Sequence, residues 1–410
     1  MDAKRFSIHR RGLMAGLAAA AATPGFALAK ARPAPISAAE RAGRIAKAQR
    51  LLQQSGLAAL IVEPGSSMIY FCGVSWWLSE RPTLLMIPRE GPAEMITPAF
   101  EEDRLRELLA IAADVRVWNE HEDPYALAAG WLMDRKLGGA KLAFDAGVRH
   151  FVSDGILKAA PGASGVSGAA IVDACRMIKS PAEIALMQAA TDITIAAYRK
   201  VGGAIAIGMT RQDITGAMHA AMAAGGGATP AGEATVDAAT SFPHGSTKPQ
   251  VVRSGSVVLM DFGCTVEGYH ADVSRTCVIG EPAAAVRTVW EDVRKGQDAA
   301  FAAARLGRPA GEVDDAVRAF YATRGYAPGY GTPGLTHRTG HGIGLDVHEP
   351  VNFVHGEKTL LAAGMCFSNE PGIYDPGRFG VRIEDCLYMT AQGPRWFSEP
   401  PPSIDTPFGP

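Results

Sequence analysis

The sequence predicts an α/β chain with two folded parts behind a leader, and three observations carry that prediction. From residue 37 to 172, short apolar runs of strand length alternate with helix-period stretches, the pattern of a sheet covered by helices. From residue 180 onward, helices give way to apolar runs that double back at Gly-rich tips, the pattern of hairpins. The composition is globular: of 410 residues, 47% are hydrophobic and 20% charged, and Gly 46 with Pro 27 are too few for a disordered chain. At roughly 150 residues per domain the length fits two or three domains. A formal charge of −2 offers no basic excess to follow a phosphate backbone, so nucleic acid is not the expected partner. Six cysteines without C-x-x-C spacing argue against a zinc ribbon or a thioredoxin-type site.

Residues 1–29 read as an export signal. Lys4, Arg5, Arg10 and Arg11 form a basic head, 12–22 carry no charge, and Ala27-Leu28-Ala29 is an A-x-A cleavage signature. The apolar run is short and broken by Pro24 and Gly25, which fits a signal peptide better than a spanning helix. The Arg10-Arg11 pair points to the twin-arginine route. Its removal leaves 36 basic against 41 acidic side chains, and no later stretch is long and apolar enough to cross a bilayer. A periplasmic or secreted, mildly acidic protein is expected.

A Pro-rich lead-in, KARPAPI, precedes the first part. Ser37 with Glu40 makes an S-x-x-E capping box, and Ala42, Ile45, Ala48 and Leu52 give the helix that follows an apolar stripe ended by Gly56. Strands are expected at 57–62, 84–87, 93–96, 115–118 and 141–145, with helices near 101–112 and 124–136. The first part spans 37–172 and the second 173–400, with the boundary near 173–179. Ser180-Pro181-Ala182-Glu183 then starts a helix to about 205, and a second helix begins at Thr210. Helices at 283–306 and 311–324 interrupt the hairpins, and the Pro-rich tail from 399 reads as loop.

The segment VVLMDFGCTVEGYHADVSRT is the most informative. Two strands, 257–263 and 269–277, flank a turn at Glu267-Gly268. With the turn centred on Val266/Glu267, Asp261 and Asp272 face each other with Cβ atoms about 5 Å apart, where like charges repel. In MCFSNEPGIYDPGRFGVRIEDCLYM, Glu370 and Glu384 are likewise placed symmetrically about Gly377. One opposed pair is usually a solvated face. Two pairs on two hairpins suit a pair of divalent cations about 3.5–4 Å apart. Between them THRTGHGIGLDVHEP brings His337, His341 and His348, suggesting a ligand plus proton-handling groups. The Gly340–Gly344 string lacks G-x-G-x-x-G spacing, so a dinucleotide loop is rejected, and H-E-x-x-H is absent.

Assembled, these residues resemble the pita-bread metallopeptidases: methionine aminopeptidase, aminopeptidase P, prolidase and creatinase. The family's order of two Asp, one His and two Glu is matched by Asp261, Asp272, His341, Glu370 and Glu384, inside DFG…GYHADVSRT, HRTGHGIGLDVHEP, NEPGIY and GVRIED. Arg382 and the long leading part, with GLAALIVEPGSSMIYFCGV and CRMIKSPAEIALM, resemble the proline-specific and creatinase branch. The resemblance implies a creatinase/prolidase-like α/β domain ahead of a pita-bread catalytic domain, and a hydrolase of Xaa-Pro peptide bonds. It implies that Asp261 binds one ion, His341 and Glu370 the other, and Asp272 and Glu384 both, with a bridging water or hydroxide as nucleophile. Glu370 would also be the general base, His348 would contact substrate near the scissile bond, and His244, His337 and Arg382 would line the substrate site. TVDAATSFPHG lacks the usual Ser-Gly-Xaa-Asn run, which leaves the substrate pocket open there. Four carboxylates and one imidazole suit manganese, cobalt, iron or zinc, manganese and cobalt first.

Alternatives are a dimetal hydrolase or lyase acting on a non-peptide small molecule, a metal-free creatinase-like enzyme, or a non-catalytic binding module. The complete ligand set argues against the last two. A homodimer or larger homo-oligomer is expected by analogy, with Trp76-Trp77 on a loop of the leading part that reaches a neighbouring subunit in related enzymes. No disulfide framework is expected: Cys264 and Cys277 are out of register, and only Cys366 and Cys386 lie diagonally on one hairpin face.

Overall fold

The computed structural model describes residues 32–243 and 245–409. The leader, 1–29, and His244 therefore lie outside the described residues. From Pro33 onward the chain is one compact unit.

The first six strands form one sheet: β1 (Ala59–Val62), β2 (Leu84–Pro88), β3 (Glu94–Pro98), β4 (Asp114–Trp118), β5 (Lys141–Phe144) and β6 (Ser164–Ser167), in the order β4-β3-β2-β1-β5-β6. Strand alternation splits β1 between two cores. Leu60 and Val62 pack beneath the helices Ala38–Gln54, Ser66–Cys72 and Ala169–Arg176, while Ala59 and Ile61 pack beneath Pro124–Asp134 and His150–Ala159. A sheet buried on both faces reads as a continuous apolar run, as 57–62 does. The helix Ser66–Cys72, the helix His150–Ala159, β6 and the helix Ala169–Arg176 carry no signal that the sequence reading used.

The first helix corrects its expected stripe. Ser37 caps it by accepting from the Glu40 amide, but the Glu40 carboxylate turns to Arg44 and to the Ser180 hydroxyl, both at 2.8 Å, and so does not close the box. Ala42 is exposed, and the buried face starts with Arg41 and Arg44. Both guanidiniums donate to the Tyr70 carbonyl, and Arg44 also pairs with Glu183 at 3.3 Å.

The second half holds two sheets backed by helix pairs. One contains β7 (Ala228–Val236), β8 (Val257–Val266), β9 (Tyr269–His270) and β10 (Val273–Val278) in the order β10-β8-β7, with β9 paired to β8. The helices Pro181–Gly202 and Arg211–Ala224 cover it, burying Val258, Met260, Phe262 and Cys264 against Tyr198, Met218 and Met222. The other contains β11 (Gly340–Gly342), β12 (Glu349–Phe353), β13 (Cys366–Asn369), β16 (Asp385–Thr390) and β17 (Gly393–Trp396), in the order β12-β11-β13-β16-β17. The ribbon β14 (Gly372–Asp375) with β15 (Phe379–Arg382) extends its hairpin. Helices Ala284–Ala303 and Gly311–Thr323 back this sheet through Trp290, Val293, Val317 and Tyr321. Ser180 and Thr210 both close complete capping boxes, with Glu183 and Asp213.

The two hairpins differ in how well their registers were expected. Residues 366–388 pair symmetrically about Gly377, as read from the sequence. In the first hairpin Glu267 and Gly268 both have positive φ, 51° and 83°, which makes them the two central residues of the turn. Val266 then pairs with Tyr269, and Asp261 faces Ser274 rather than Asp272. Asp261 and Asp272 are thus diagonal, still on one face. All six cysteines are free and buried, Cys366 and Cys386 included.

One core joins the two halves. It runs from Leu60, Leu85 and Met95 to Val266, Tyr269, Ile343, Leu345 and Phe397. A buried ion cluster latches the same seam: Glu349 at the start of β12 accepts from Arg176 at 2.5 Å and Lys179 at 2.8 Å, and Arg176 also holds Asp346 at 2.8 Å. The paired Trp76 and Trp77 rings stack at 4.6 Å on a loop beneath Arg104, with Trp77 and Leu78 exposed. Among the described residues no helix is long and apolar enough to cross a membrane.

Burial pushes the Glu349 carboxyl up, but the charges and hydrogen bonds of Lys179 and Arg176 outweigh it and hold it at about 2. A depressed carboxyl stabilises the fold above its unfolded pKa, about 4.3, and loses that contribution as pH falls through the folded value. Glu349→Gln should therefore cost about 3 kcal/mol near neutral pH. The deficit should shrink between pH 4 and pH 2. Denaturant titrations of both proteins across that range measure it, and a deficit independent of pH would contradict the ion-cluster account.

Candidate metal centre

Asp261 sits in the middle of β8, where even-numbered neighbours bury against helices and odd-numbered side chains point the other way. Asp272 lies in the gap between β9 and β10. There the two strands come so close that a Cβ on Gly263 would stand 1.9 Å from the Ala271 carbonyl oxygen, which is why this position of DFG is glycine. His341 is flanked by glycines for the same reason: a Cβ at 340 would meet the Ser368 carbonyl at 2.1 Å, and one at 342 the Glu349 carbonyl at 2.6 Å. Glu370 and Glu384 occupy the break between the two ladders of their hairpin. There Glu384 bridges to Ser274 on the other sheet, its amide donating to the Ser274 carbonyl at 3.0 Å.

These elements bring the expected donors together. One donor atom each of Asp272, His341 and Glu384 lie within 4.8 Å of one another. His341 Nε2 is 3.2 Å from Glu370 Oε1 and 3.7 Å from Asp272 Oδ2. His341 Nδ1 lies 3.0 Å from the Gly342 carbonyl, which can only accept, so the proton sits on Nδ1 and leaves Nε2 toward the carboxylates. Asp261 is held differently: Arg382 Nη2 reaches its Oδ2 at 2.5 Å, and the Ser274 hydroxyl reaches its Oδ1 at 3.0 Å.

The electrostatics are those of an acid cluster short of positive charge. Burial, then Asp261, pushes Asp272 up to about 8, against the pull of His341. Burial and the charges of Asp272, Glu370 and Asp261 push Glu384 well above the carboxylate range. Burial works against ionised Glu370 too, but the hydrogen bond and charge of His341 hold it at about 2. Burial opposes a charged His341, and Glu370 and Asp272 raise it nonetheless. Four carboxylates face one guanidinium and one imidazole. Glu384 Oε1 is buried without a hydrogen-bond partner, which a native fold rarely tolerates. An oxygen-rich set with one imidazole, and an orphaned buried carboxylate oxygen at its centre, fits divalent cations.

The remaining expected residues are distributed around this set. His348 is exposed, and its ring stands edge-on to His341 with centroids 4.3 Å apart. His337 has both ring nitrogens engaged, Nδ1 with the Arg338 carbonyl at 2.7 Å and Nε2 with the Tyr374 hydroxyl at 2.8 Å. Burial lowers its pKa, so the ring is neutral and accepts from Tyr374. Arg382, expected at the substrate site, has its guanidinium buried on Asp261, Ser274 and Tyr374. Of His244 only the preceding Pro243 can be described, whose carbonyl accepts from Arg382 at 3.4 Å. The sequence reading missed Ser274 and Tyr374. Ser274 was findable, because it follows Asp272 by two and so shares its face; nothing marked Tyr374.

Comparison with known proteins agrees with this geometry. Residues 185–391 match the model of metallopeptidase family M24, and residues 44–178 match the creatinase/prolidase N-terminal domain. The probable dipeptidase PepE of Mycobacterium tuberculosis is 34% identical over 367 residues, covering 86% of this chain and 92% of that protein. The Xaa-Pro dipeptidase of Lactobacillus helveticus is 31% identical over 359 residues, covering 86% and 95%. The crystal structure of dipeptidase PepE from Mycobacterium ulcerans superposes with a TM-score of 0.83 at 32% identity, covering 90% of this chain and 98% of that one.

A centre of this kind should invert the usual effect of deleting a buried acid. Asp272→Asn should leave the chelator-treated protein as stable as the parent or more so, because folding the metal-free site forces this acid to take up a proton near neutral pH, a cost the amide does not carry. The same substitution should erase most of the thermal stabilisation by manganese, which at 100 times Kd is about 2.7 kcal/mol for the parent. Melting curves of both proteins with chelator and with manganese check this; equal stabilisation of the two would count against it.

Proposed function

Because the chain belongs to metallopeptidase family M24, with a creatinase/prolidase N-terminal domain ahead of the catalytic one, we propose that this metal-dependent hydrolase cleaves Xaa-Pro dipeptides. The observation that carries the reading is the complete donor set, Asp261, Asp272, His341, Glu370 and Glu384, in a chain that matches dipeptidases over nearly their whole length. These five residues would hold two divalent ions, which when bound would acidify water and polarise the scissile carbonyl.

The chain's own residues supply the rest. Glu370 is ionised at neutral pH and stands at the edge of the donor set, so it can take the proton of the attacking water at a carboxylate oxygen. His348 presents its ring beside His341 from the solvent side, where it can hydrogen-bond the substrate next to the scissile bond. Arg382, Tyr374 and His337 form a buried relay, each bonded to the next, that fixes Asp261 from behind. Manganese or cobalt is the proposed metal.

Purified protein loaded with manganese or cobalt should hydrolyse Xaa-Pro dipeptides faster than longer Xaa-Pro peptides. Glu370→Gln should nearly abolish turnover and weaken metal retention. His348→Ala should keep both metals while losing roughly 10²–10³ in rate, the usual cost of one positioned donor. No hydrolysis of any Xaa-Pro dipeptide by metal-loaded protein would end the reading, and wild-type kinetics in His348→Ala would end that residue's role.

We also propose export with cleavage after Ala29, supported by the basic head, uncharged run and Ala27-Leu28-Ala29. N-terminal sequencing of the exported protein should begin at or near Lys30, and light scattering on it should report a homodimer or larger. A cytoplasmic product that starts at Met1 would refute the export.

A further inference from the structure

We propose that Ser274 is a positioning residue of the metal centre, whose hydroxyl ties Asp261, Glu384 and Arg382 into one unit and turns the other oxygen of Glu384 toward the ions. The inference rests on the metal reading above and concerns a residue between the two sheets. Ser274 is fully buried on β10, directly opposite Asp261 on β8 and bridged to Glu384 ahead of β16. Its Oγ lies 3.0 Å from Asp261 Oδ1 and 2.8 Å from Glu384 Oε2, and Arg382 Nε donates into it at 2.9 Å.

A hydroxyl carries one proton and two acceptor sites. Arg382 occupies an acceptor site, so the single hydroxyl proton is left to Asp261 Oδ1 and Glu384 Oε2, and Ser274 is the one side chain that touches both. Arg382 completes the unit by reaching Asp261 Oδ2. Both oxygens of Asp261 are thus engaged from the protein side, while Glu384 keeps one oxygen engaged and Oε1 buried without a partner. Rotating Glu384 about its last torsion would exchange those oxygens, and among the described residues only the Ser274 contact distinguishes them. Partners of this kind typically carry 10–100-fold of metal affinity.

Thr and Val have the same shape and differ by hydroxyl against methyl, so Ser274→Thr and Ser274→Val separate the hydrogen bond from the volume. Manganese is titrated calorimetrically into chelator-stripped proteins, with circular dichroism to confirm the fold and elemental analysis for stoichiometry. The Thr variant should bind manganese as the parent does, and the Val variant 10–100-fold more weakly. Should the Val variant not fold, Ser274→Ala carries the same comparison with Thr. A folded Val or Ala variant with parental affinity, or a Thr variant as weak as Val, overturns the role of the hydroxyl while leaving the metal reading intact. A parent protein that takes up no manganese overturns both.

Discussion

Burying several carboxylates at one point costs more than any single packing interaction returns, and the catalytic half of this protein is organised around that cost. Asp261, Asp272, Glu370 and Glu384 converge from two sheets, against one guanidinium and one imidazole. The neighbouring acid shows what an ordinary buried carboxylate looks like here. Asp385 follows Glu384 in the chain and points to the opposite face of the strand. It is fully buried, yet Arg275 holds it at 2.7 and 3.2 Å, Gln297 at 3.1 Å and Ser398 at 2.5 Å. That acid is neutralised by protein alone. Glu384, one residue earlier, is left with an oxygen that has no hydrogen-bond partner among the described residues. Adjacent residues with equal burial and opposite fates separate structural charge from charge reserved for a ligand.

Holding such a cluster requires stiff surroundings. The helix pairs fix both sheets through large side chains such as Tyr198, Trp290 and Phe367, so the strands cannot part to relieve the repulsion. The glycines at 263, 340 and 342 allow backbone approaches that no side chain permits, which brings Asp272 and His341 within reach of the second hairpin. The loop after His341 is pinned at its far end by Glu349 on Arg176 and Lys179, so His348, its neighbour in the chain, is carried by an anchored segment. Arg176, inside the residues matched to the N-terminal domain, thereby bears on the site indirectly, as one of the two side chains that hold the loop.

Legibility in the sequence followed from how local each signal was. The second hairpin's register could be read from Asp375-Pro376-Gly377 because its arms are symmetric about that turn, whereas the first was misplaced by one residue. Both Glu267 and Gly268 take positive φ, and a glutamate does not advertise that. Strands β1, β2 and β5 were readable because a doubly covered sheet needs unbroken apolar runs, as at 59–62, 84–87 and 142–144. The buried face of the first helix was not, because Arg41 and Arg44 read as surface residues until the Tyr70 carbonyl, distant in sequence, accepts from both and Glu183 pairs with Arg44. Glu370 and Glu384 were legible from their symmetry about Gly377, Asp261 and Asp272 proved diagonal rather than opposed, and the set of five was assembled through its resemblance to a family. The relay behind them was not legible, since Tyr374, His337 and Arg382 become partners only through tertiary contact.

The placement of the donors also couples stability to chemistry. Asp261 and Asp272 belong to one sheet, His341, Glu370 and Glu384 to the other, and the backbone bridge between Ser274 and Glu384 is where the two sheets meet. The seam is crossed by that bridge, by Arg275 on Asp385, by Thr276 on the Arg382 backbone and by Arg382 on Asp261, with the crowded acids set among these contacts. Cations held by the proposed ligands would turn the same carboxylates into cross-sheet ties, because those ligands come from both sheets. The crowding that makes these acids costly to bury would then favour the filled site. A site at the middle of a single sheet would hold metal without changing what holds the sheets together; ions held at this seam would serve the reaction and the closure of the fold together.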